Sequence, residues 1–283
     1  MSHKTHPMKE VLLFFAITIG LSDLVLWGPI VLFKIPTISF VDNTMGPIWA
    51  IVLFLLGGFV PSLTAIALTG IKEGKPGLMQ LWRRVVQFRI GWRWYLVMVS
   101  IVFFGSACQI LINNLLGGSF DLSLFLQQLP SFLPLIIIGP LSEELGWRGY
   151  AQTRLQTHLN PMVAGLVVGA VWALWHLPLF LMVGTSQHEL HMPFVGFFFG
   201  LMAHSVLYAW FQSHTDNSVW TDIFYHWIFT YAAQVVATGV TRSPLYNGLE
   251  YTPYILVAVI IAWNWNREMK ASTKLPYPLE NQI

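Results

Sequence analysis

Long apolar stretches separated by short polar segments run along almost the whole chain. All but the last approach the roughly 20 residues that a helix needs to cross a bilayer, and the eight stretches are 11–33, 49–71, 94–116, 125–147, 162–183, 194–211, 219–240 and 254–265. The first is longer than the core of a signal peptide and lacks a clear small-residue cleavage site, which favours a spanning helix. The pattern therefore predicts an all-α, polytopic membrane protein with about eight transmembrane helices.

The composition supports this prediction and excludes an ordinary soluble domain. Of the 283 residues, 55% are hydrophobic and 10% are charged, whereas a soluble domain has about 25% charged residues. Membrane lipids are therefore an expected partner, and nucleic acid is not. The single cysteine, Cys108, lies in an apolar stretch and is predicted to be a small buried hydrophobe. Neither a disulfide framework nor a cysteine protease is expected.

The positions of the positive charges predict the orientation of the protein. With eight spans, only Lys34 and Arg242 among the 15 Lys and Arg residues fall on the side away from the N-terminus. Cytoplasmic segments of membrane proteins carry an excess of Lys and Arg. We therefore expect a multi-pass protein of the cell membrane with both termini in the cytoplasm, and an external loop at 185–192.

Three regions are predicted along the chain. Residues 1–120 hold the first three helices and a basic interfacial segment at 72–93, residues 121–268 form a membrane core that carries the candidate chemistry, and residues 269–283 form a short cytoplasmic tail. The basic segment mixes arginines with Leu, Val, Trp and Phe in a helix-like pattern. An interfacial helix and a surface for substrate recruitment both agree with that composition.

The sequence LSEELGWRGYAQTRL, at 141–155, places Glu143, Glu144 and Arg148 within six positions at the end of the apolar run 132–141. Carboxylates near the hydrocarbon region are costly and usually functional. On a helix, Glu144 and Arg148 are four residues apart and can pair, whereas Glu143 points roughly 100° away. This geometry predicts Glu143 as a free general base and Glu144 as a supporting carboxylate. A network that only ties helices together is the alternative.

Two histidines follow within later spans. In VWALWHLPLF, His176 comes four residues after Trp172, and in SVWTDIFYHWIFT, His226 comes one helical turn after Asp222. A carboxylate at Asp222 could fix the tautomer of His226 or supplement a metal site. The alternative for Asp222 is an acid at a helix N-terminus that faces the cytoplasmic headgroups.

This ordered set of motifs resembles the CPBP (Abi) intramembrane proteases, the family that includes type II CAAX prenyl endopeptidases and bacteriocin-immunity proteins. The EExxxR motif of that family matches 143–148, its FxxxH motif is similar to 172–176, and the histidine of its last motif matches His226. The resemblance extends from about residue 83 to 227. It implies a buried active-site cavity with a catalytic set of five residues: Glu143, Glu144, Arg148, His176 and His226.

The last motif departs from the family pattern, HxxxN, because Thr230 stands where an asparagine is expected. A hydroxyl reaches less far toward an oxyanion than a carboxamide, so Gln234, one turn further along the same face, is a candidate substitute. The resemblance implies an endopeptidase that cuts a membrane-associated peptide or protein of the CAAX or bacteriocin-related type. The departure favours an alternative, a catalytically silent membrane scaffold or self-immunity protein. A transporter is a third reading, although no internal repeat supports it.

Two mechanisms remain open for the peptidase. Glu143, His176 and His226 would make a two-histidine, one-carboxylate set for one divalent metal such as zinc. The same three groups could act without metal, with Glu143 as the base that activates water and the two histidines as donors to the oxyanion.

Two other clusters have weaker patterns. The HExH sequence at 188–191 lacks the HExxH spacing of zinc proteases, so metal binding is not expected there. His204 and Tyr208 share one helix face and could line the cavity, although core packing is the favoured role.

Overall fold

A computed structural model describes residues 7–39, 44–131, 133–136 and 139–271, and most of these residues are helical. The first helix, α1 (Pro7–Leu32), contains a π-helical stretch at Gly20–Trp27. The antiparallel pair β1 (Ile38–Ser39) and β2 (Thr44–Met45) precedes α2 (Ile48–Val85) and α3 (Trp92–Leu115). Residues 272–283 of the predicted tail lie outside the described part of the chain.

The remaining helices surround the candidate site. We define α5 as three contiguous segments, α-helical at Pro140–Glu144, π-helical at Leu145–Gln152 and α-helical at Thr153–Leu155. The other helices are α4 (Leu122–Gln128), α6 (Pro161–Trp175), α7 (Ser186–Glu189), α8 (Phe194–Ser213), α9 (Val219–Gly239), α10 (Pro244–Leu249) and α11 (Thr252–Ala271), with short 3-10 turns at Leu133–Ile136 and Leu177–Phe180.

Six helical stretches among the described residues are long and apolar enough to cross a membrane: Pro7–Leu32, Ile48–Val85, Trp92–Leu115, Pro161–Phe180, Phe194–Ser213 and Pro244–Glu268. They coincide with six of the eight predicted spans. The predicted span 219–240 corresponds to α9, which has 21 residues but a more polar sequence. An all-α, polytopic membrane protein is therefore confirmed.

The prediction of one continuous helix at 125–147 is wrong. The chain is helical at α4, forms a 3-10 turn and resumes as an α-helix only at Pro140. Pro130, Pro134 and Pro140 explain the interruptions, because proline lacks a backbone N–H and its ring clashes with the preceding turn. Pro140 itself stands in the first turn of its helix, where these losses cost nothing.

Hydrogen bonds and ion pairs nevertheless place the described residues before and after this broken segment at opposite ends of the helix bundle. At one end, Arg154 pairs with Glu10, near the start of α1, and with Glu73, in the middle part of α2 directly before Gly74. At the opposite end, the Ser119 hydroxyl lies 2.8 Å from that of Thr241, just beyond α3 and α9. We call these the Arg154 end and the Thr241 end.

The predicted interfacial segment 72–93 begins within α2. Helix α2 changes direction at Gly74, whose φ of 65° and ψ of −155° are not helical, and a positive φ of this kind favours glycine. Beyond the kink, the Arg84 guanidinium donates to the carbonyls of Asn217 and Gly149 at 2.7 and 3.1 Å. This second arm of α2 therefore packs on α5 and on the turn before α9.

Close backbone approaches hold the helices around the site. A Cβ atom on Gly146 would lie 2.6 Å from the Pro61 carbonyl, and one on Gly165 would lie 2.8 Å from the Ser205 carbonyl. Only glycine at these positions lets α5 pack on α2 and lets α6 pack on α8 so closely. The space between α5, α6, α8 and α9 contains the candidate site.

Candidate active site

Glu144 and Arg148 form an ion pair in the interior of the protein. The Nη1–H of Arg148 donates to Oε1 of Glu144 at 3.0 Å, and both side chains are fully buried. The pair predicted from the four-residue spacing is therefore present, even though α5 becomes π-helical at Leu145. Because buried ions lose their hydration, such a pair is stable only when further partners satisfy both charges.

Arg148 has those further partners on α6 and α8. Its Nη2–H donates to the Ser205 hydroxyl at 3.1 Å. The guanidinium carbon also lies 4.2 Å from the ring centroid of Trp172 and 3.8 Å from that of Tyr208. Cation–π contacts are strongest where water is excluded, so the arginine is clamped between two aromatic rings and fixes Glu144.

Glu144, rather than Asp222, orients His226. The Nδ1 atom of His226 lies 2.6 Å from Oε1 of Glu144 and donates its proton to that carboxylate. Asp222 instead accepts a hydrogen bond from Gln212 at 2.8 Å, and Gln212 accepts one from Gln152 at 2.7 Å. The prediction that Asp222 fixes the tautomer of His226 is wrong, because a carboxylate from another helix lies closer to the imidazole.

The alternative position of Asp222, at the headgroups, is also wrong, because its side chain is fully buried. It belongs to a polar chain that links α5, α8 and α9. Gln152 and Gln212 were not predicted as parts of the site. Both lie outside the predicted spans 125–147 and 194–211, so the hydropathy pattern offered no signal for them.

Glu143 lies outside the Glu144 network. Its Oε2 atom accepts a hydrogen bond of 2.6 Å from the indole N–H of Trp172, and its side chain is buried but borders a cavity. This bond leaves the second carboxylate oxygen, Oε1, available. The separation of roles predicted for the two adjacent glutamates therefore agrees with this geometry, while the roles themselves remain proposals.

His176 caps the C-terminal end of α6, and the bond that it makes fixes its tautomer. Its Nδ1 lies 2.8 Å from the Trp172 carbonyl, and because a carbonyl can only accept, Nδ1 carries the proton. The same reasoning applies to His226, whose Nδ1 donates to a carboxylate. In the neutral state, Nε2 of each ring is therefore an acceptor, and it becomes a donor only when the ring is protonated.

A cavity of about 240 Å³ brings most of the predicted residues together. Its wall includes seven side chains singled out by the sequence or by their bonds: Glu143, Trp172, His176, His204, His226, Thr230 and Gln234. Glu144 and Arg148 are fully buried behind this wall. The protein therefore has a cavity with a mostly apolar wall that Glu143 and both histidines reach.

His204 has both of the roles considered for it. It lines the cavity, and its ring stacks on Phe229 with centroids 4.1 Å apart. Its Nδ1 lies 2.9 Å from the Tyr225 hydroxyl. His204 thus forms part of the packed wall without contacting the Glu144 network.

Thr230 and Gln234 follow His226 on the same wall. Gln234 accepts a hydrogen bond from Ser186 at 3.2 Å, so its carboxamide is joined to α7 at the Thr241 end of the cavity. Both side chains border the cavity. Their role as oxyanion donors remains a prediction.

The HExH sequence stabilises a loop. Glu189 accepts a hydrogen bond from the backbone N–H of Gly184 at 2.7 Å, and His188 Nδ1 lies 3.0 Å from the same oxygen. The backbone N–H bond favours the carboxylate and lowers the pKa of Glu189. His191 Nδ1 bonds to the His188 carbonyl. These contacts explain the residues as loop hydrogen-bonding groups.

Among the described residues, no group of three His, Cys, Asp or Glu side chains lies close enough together to hold a metal ion. The set predicted for zinc, Glu143, His176 and His226, shares the cavity wall but does not fit as a ligand set in this arrangement. Metal dependence therefore remains a prediction.

The sequence is similar to known proteins beyond the three short motifs. A family model described as Type II CAAX prenyl endopeptidase Rce1-like matches residues 125–232. The chain is also similar to CAAX prenyl protease 2 of Methanococcus maripaludis, with 25% identity over 175 residues that cover 59% of this chain and 60% of that protein. The match thus spans less than two thirds of the relative. Both findings confirm the resemblance to the CAAX prenyl protease-like family.

Proposed function

We propose, from the resemblance of residues 125–232 to type II CAAX prenyl endopeptidases, that this protein is an intramembrane endopeptidase. Its substrate would be a membrane-associated peptide or protein, and its cavity would hold the scissile bond. One observation carries the proposal. Glu143 borders a cavity and bonds to a neutral donor, Trp172, whereas the charge of its neighbour Glu144 is engaged by Arg148 and His226.

The proposed reaction begins with a water molecule bound by Glu143. The carboxylate takes a proton from water while the oxygen attacks the peptide carbonyl carbon, which forms a tetrahedral oxyanion. The proton then passes to the leaving amine as the C–N bond breaks. His226, whose imidazolium form the Glu144 carboxylate would stabilise, would donate through Nε2 to the oxyanion, and Arg148 would hold Glu144 in place. His176, neutral with its proton on Nδ1, would accept a hydrogen bond from the water through Nε2.

The proposal is tested by cleavage of peptides with purified protein in detergent. The relative named above acts, by its name, on CAAX prenyl proteins, so peptides with a prenylated C-terminal CAAX sequence are the first substrates to try. Unprenylated copies and an unrelated peptide library serve as comparisons. Mass spectrometry should find one cleaved bond per substrate, and no cleavage of any peptide would contradict the proposal.

The departure at Thr230 favours one alternative function, a membrane scaffold or self-immunity protein of the same fold without catalysis. A threonine hydroxyl stands where the resemblance places a carboxamide. A cellular phenotype that persists in a Glu143→Gln variant would support this alternative, because a scaffold does not need the base.

If Thr230 occupies the position of the oxyanion-side amide, Thr230→Asn is expected to maintain or raise turnover. The reason is that a carboxamide N–H reaches farther than a hydroxyl. Loss of one oxyanion donor costs about 10² to 10³ in rate. If position 230 contacts the oxyanion, the kcat of Thr230→Asn compared with that of the wild type should therefore show it clearly.

Gln234 supplies the matched comparison. If its carboxamide is the donor, Gln234→Ala lowers kcat while Thr230→Ala leaves it unchanged. Unchanged turnover in both alanine variants would show that neither Thr230 nor Gln234 donates to the oxyanion.

We also propose that the Arg154 end of the bundle is cytoplasmic, because the basic residues gather there. Cysteines introduced at Lys75 and His191, both exposed and on opposite sides of the broken segment, are expected to react with an impermeant thiol reagent from opposite sides. A Cys108→Ser background removes the native thiol. Labelling of both positions from the same side would contradict the crossing of residues 122–155 and the proposed orientation.

A further inference from the structure

Trp172 contacts each of the ionisable groups proposed to act in the cavity. Its indole N–H donates to Glu143 Oε2 at 2.6 Å, and its backbone carbonyl accepts from His176 Nδ1 at 2.8 Å. Its ring lies 4.2 Å from the guanidinium carbon of Arg148, and its centroid is 5.3 Å from that of His226. The side chain is almost completely buried. Trp172 is thus the one described residue that joins both glutamate networks.

Only one of these contacts requires tryptophan. Another aromatic ring could face Arg148 and His226, and any residue supplies the carbonyl for His176. The indole N–H is different, because phenylalanine, which the FxxxH pattern has at this position, cannot donate a hydrogen bond. The hydrogen bond to Glu143 therefore depends on the tryptophan of this chain and would be absent with the phenylalanine of the motif.

We infer that Trp172 is a positioning residue that selects Oε1 of Glu143 as the oxygen that removes the proton from water. This inference rests on the proposed peptidase function. The indole N–H holds Oε2, which fixes the rotation of the carboxylate about its terminal bond and leaves Oε1 for the water molecule. A short N–H···O⁻ bond of this kind is directional as well as strong.

The neutrality of the donor matters for the proposed role. Arg148 neutralises Glu144 through a full positive charge, whereas an indole N–H orients Glu143 without cancelling its charge. Two adjacent glutamates thereby receive different partners, a cation for the supporting carboxylate and a neutral donor for the base. The neutral donor leaves Glu143 with the negative charge that it needs to remove a proton from water.

Trp175 provides a matched control. It lies three residues later on α6, is equally buried, and packs against Trp27 and Trp147. Its indole nitrogen is buried and, within the described part of the chain, makes no hydrogen bond. A phenylalanine at position 175 therefore removes an N–H of the same kind that holds no carboxylate.

The hydrogen bond itself is tested by NMR on protein labelled with ¹⁵N at tryptophan indoles. One indole N–H proton is expected far downfield, absent in Trp172→Phe and shifted upfield in Glu143→Gln, where the acceptor loses its charge. Should Trp172→Phe not fold, the Glu143→Gln spectrum alone still tests the hydrogen bond between the indole N–H and the carboxylate. If no indole resonance moves in Glu143→Gln, the inference is overturned, whether or not a peptide is cleaved.

The positioning role is tested by kinetics on a cleaved peptide. Trp172→Phe is expected to lower kcat by about 10- to 100-fold while KM stays unchanged, because the lost bond acts on the base and not on substrate binding. Trp175→Phe should keep both constants at the wild-type values. A wild-type kcat in Trp172→Phe would overturn the role. Absence of turnover in the wild-type protein would instead contradict the proposed function, while the NMR comparison still reports on the bond.

Discussion

Glu143→Gln is expected to lower kcat for peptide cleavage by about 10² to 10⁴, the usual contribution of a general base. Glutamine preserves the shape of the side chain, and its oxygen can still accept the Trp172 N–H. The variant therefore removes the base with little change to packing. Initial rates on a CAAX-type peptide, compared at equal amounts of folded protein, measure the effect.

Glu144→Gln is the control for this prediction. Glu144 is buried behind the cavity wall and bonds to Arg148 and His226, so its substitution should weaken the support of His226 and leave a larger part of the turnover. Its melting temperature should fall more than that of Glu143→Gln, because the Arg148 charge loses its counterion. Equal residual activity in the two variants would refute the assignment of base and support.

Arg148→Ala is expected to cause the largest loss of stability. Removal of one partner of a buried ion pair leaves an uncompensated charge, here on Glu144, and costs about 3 to 5 kcal/mol. The alanine also loses the hydrogen bond to Ser205 and the contacts with two aromatic rings. Thermal unfolding in detergent should show a much lower transition temperature, or no folded protein should accumulate.

A double variant separates charge from packing. Glu144→Gln combined with Arg148→Met removes both charges and fills the space with an unbranched side chain, so it should recover stability relative to Arg148→Ala without recovering cleavage. Arg83→Ala serves as the surface control, since Arg83 is exposed and should unfold like the wild type. If Arg148→Ala unfolds at the wild-type temperature, the buried pair does not stabilise the fold.

The parts of the site that were predictable are those set by local geometry. Glu144 and Arg148 are four residues apart, so helical spacing alone predicted their pair. The bonds that join Trp172 to Glu143 and His226 to Glu144 connect residues 29 and 82 positions apart in the sequence. No periodicity reports such contacts, because they depend on how separate helices pack.

In the fold, too, some features follow from the local sequence and others do not. Six spans follow from hydropathy because lipid demands long apolar helices. At 125–147 the prediction rested on average hydropathy, which does not register the effect of the three prolines. They interrupt the helix, so the two glutamates lie at the start of α5. Asp222 was misplaced because Gln152 and Gln212, each on another helix, give it a buried partner network that its own helix does not show.

The π-helical stretch Leu145–Gln152 makes the length of α5 as important as its composition. Backbone hydrogen bonds in a π-helix join residues five apart, so each turn contains more residues than a turn of α-helix. Every residue from Gly146 to Gln152 is buried, and Thr153 donates to the widened turn at the Arg148 carbonyl. Deleting any one of these residues would rotate all that follows by somewhat less than the roughly 100° of an α-helical residue. The segment should therefore accept some substitutions but no insertion or deletion.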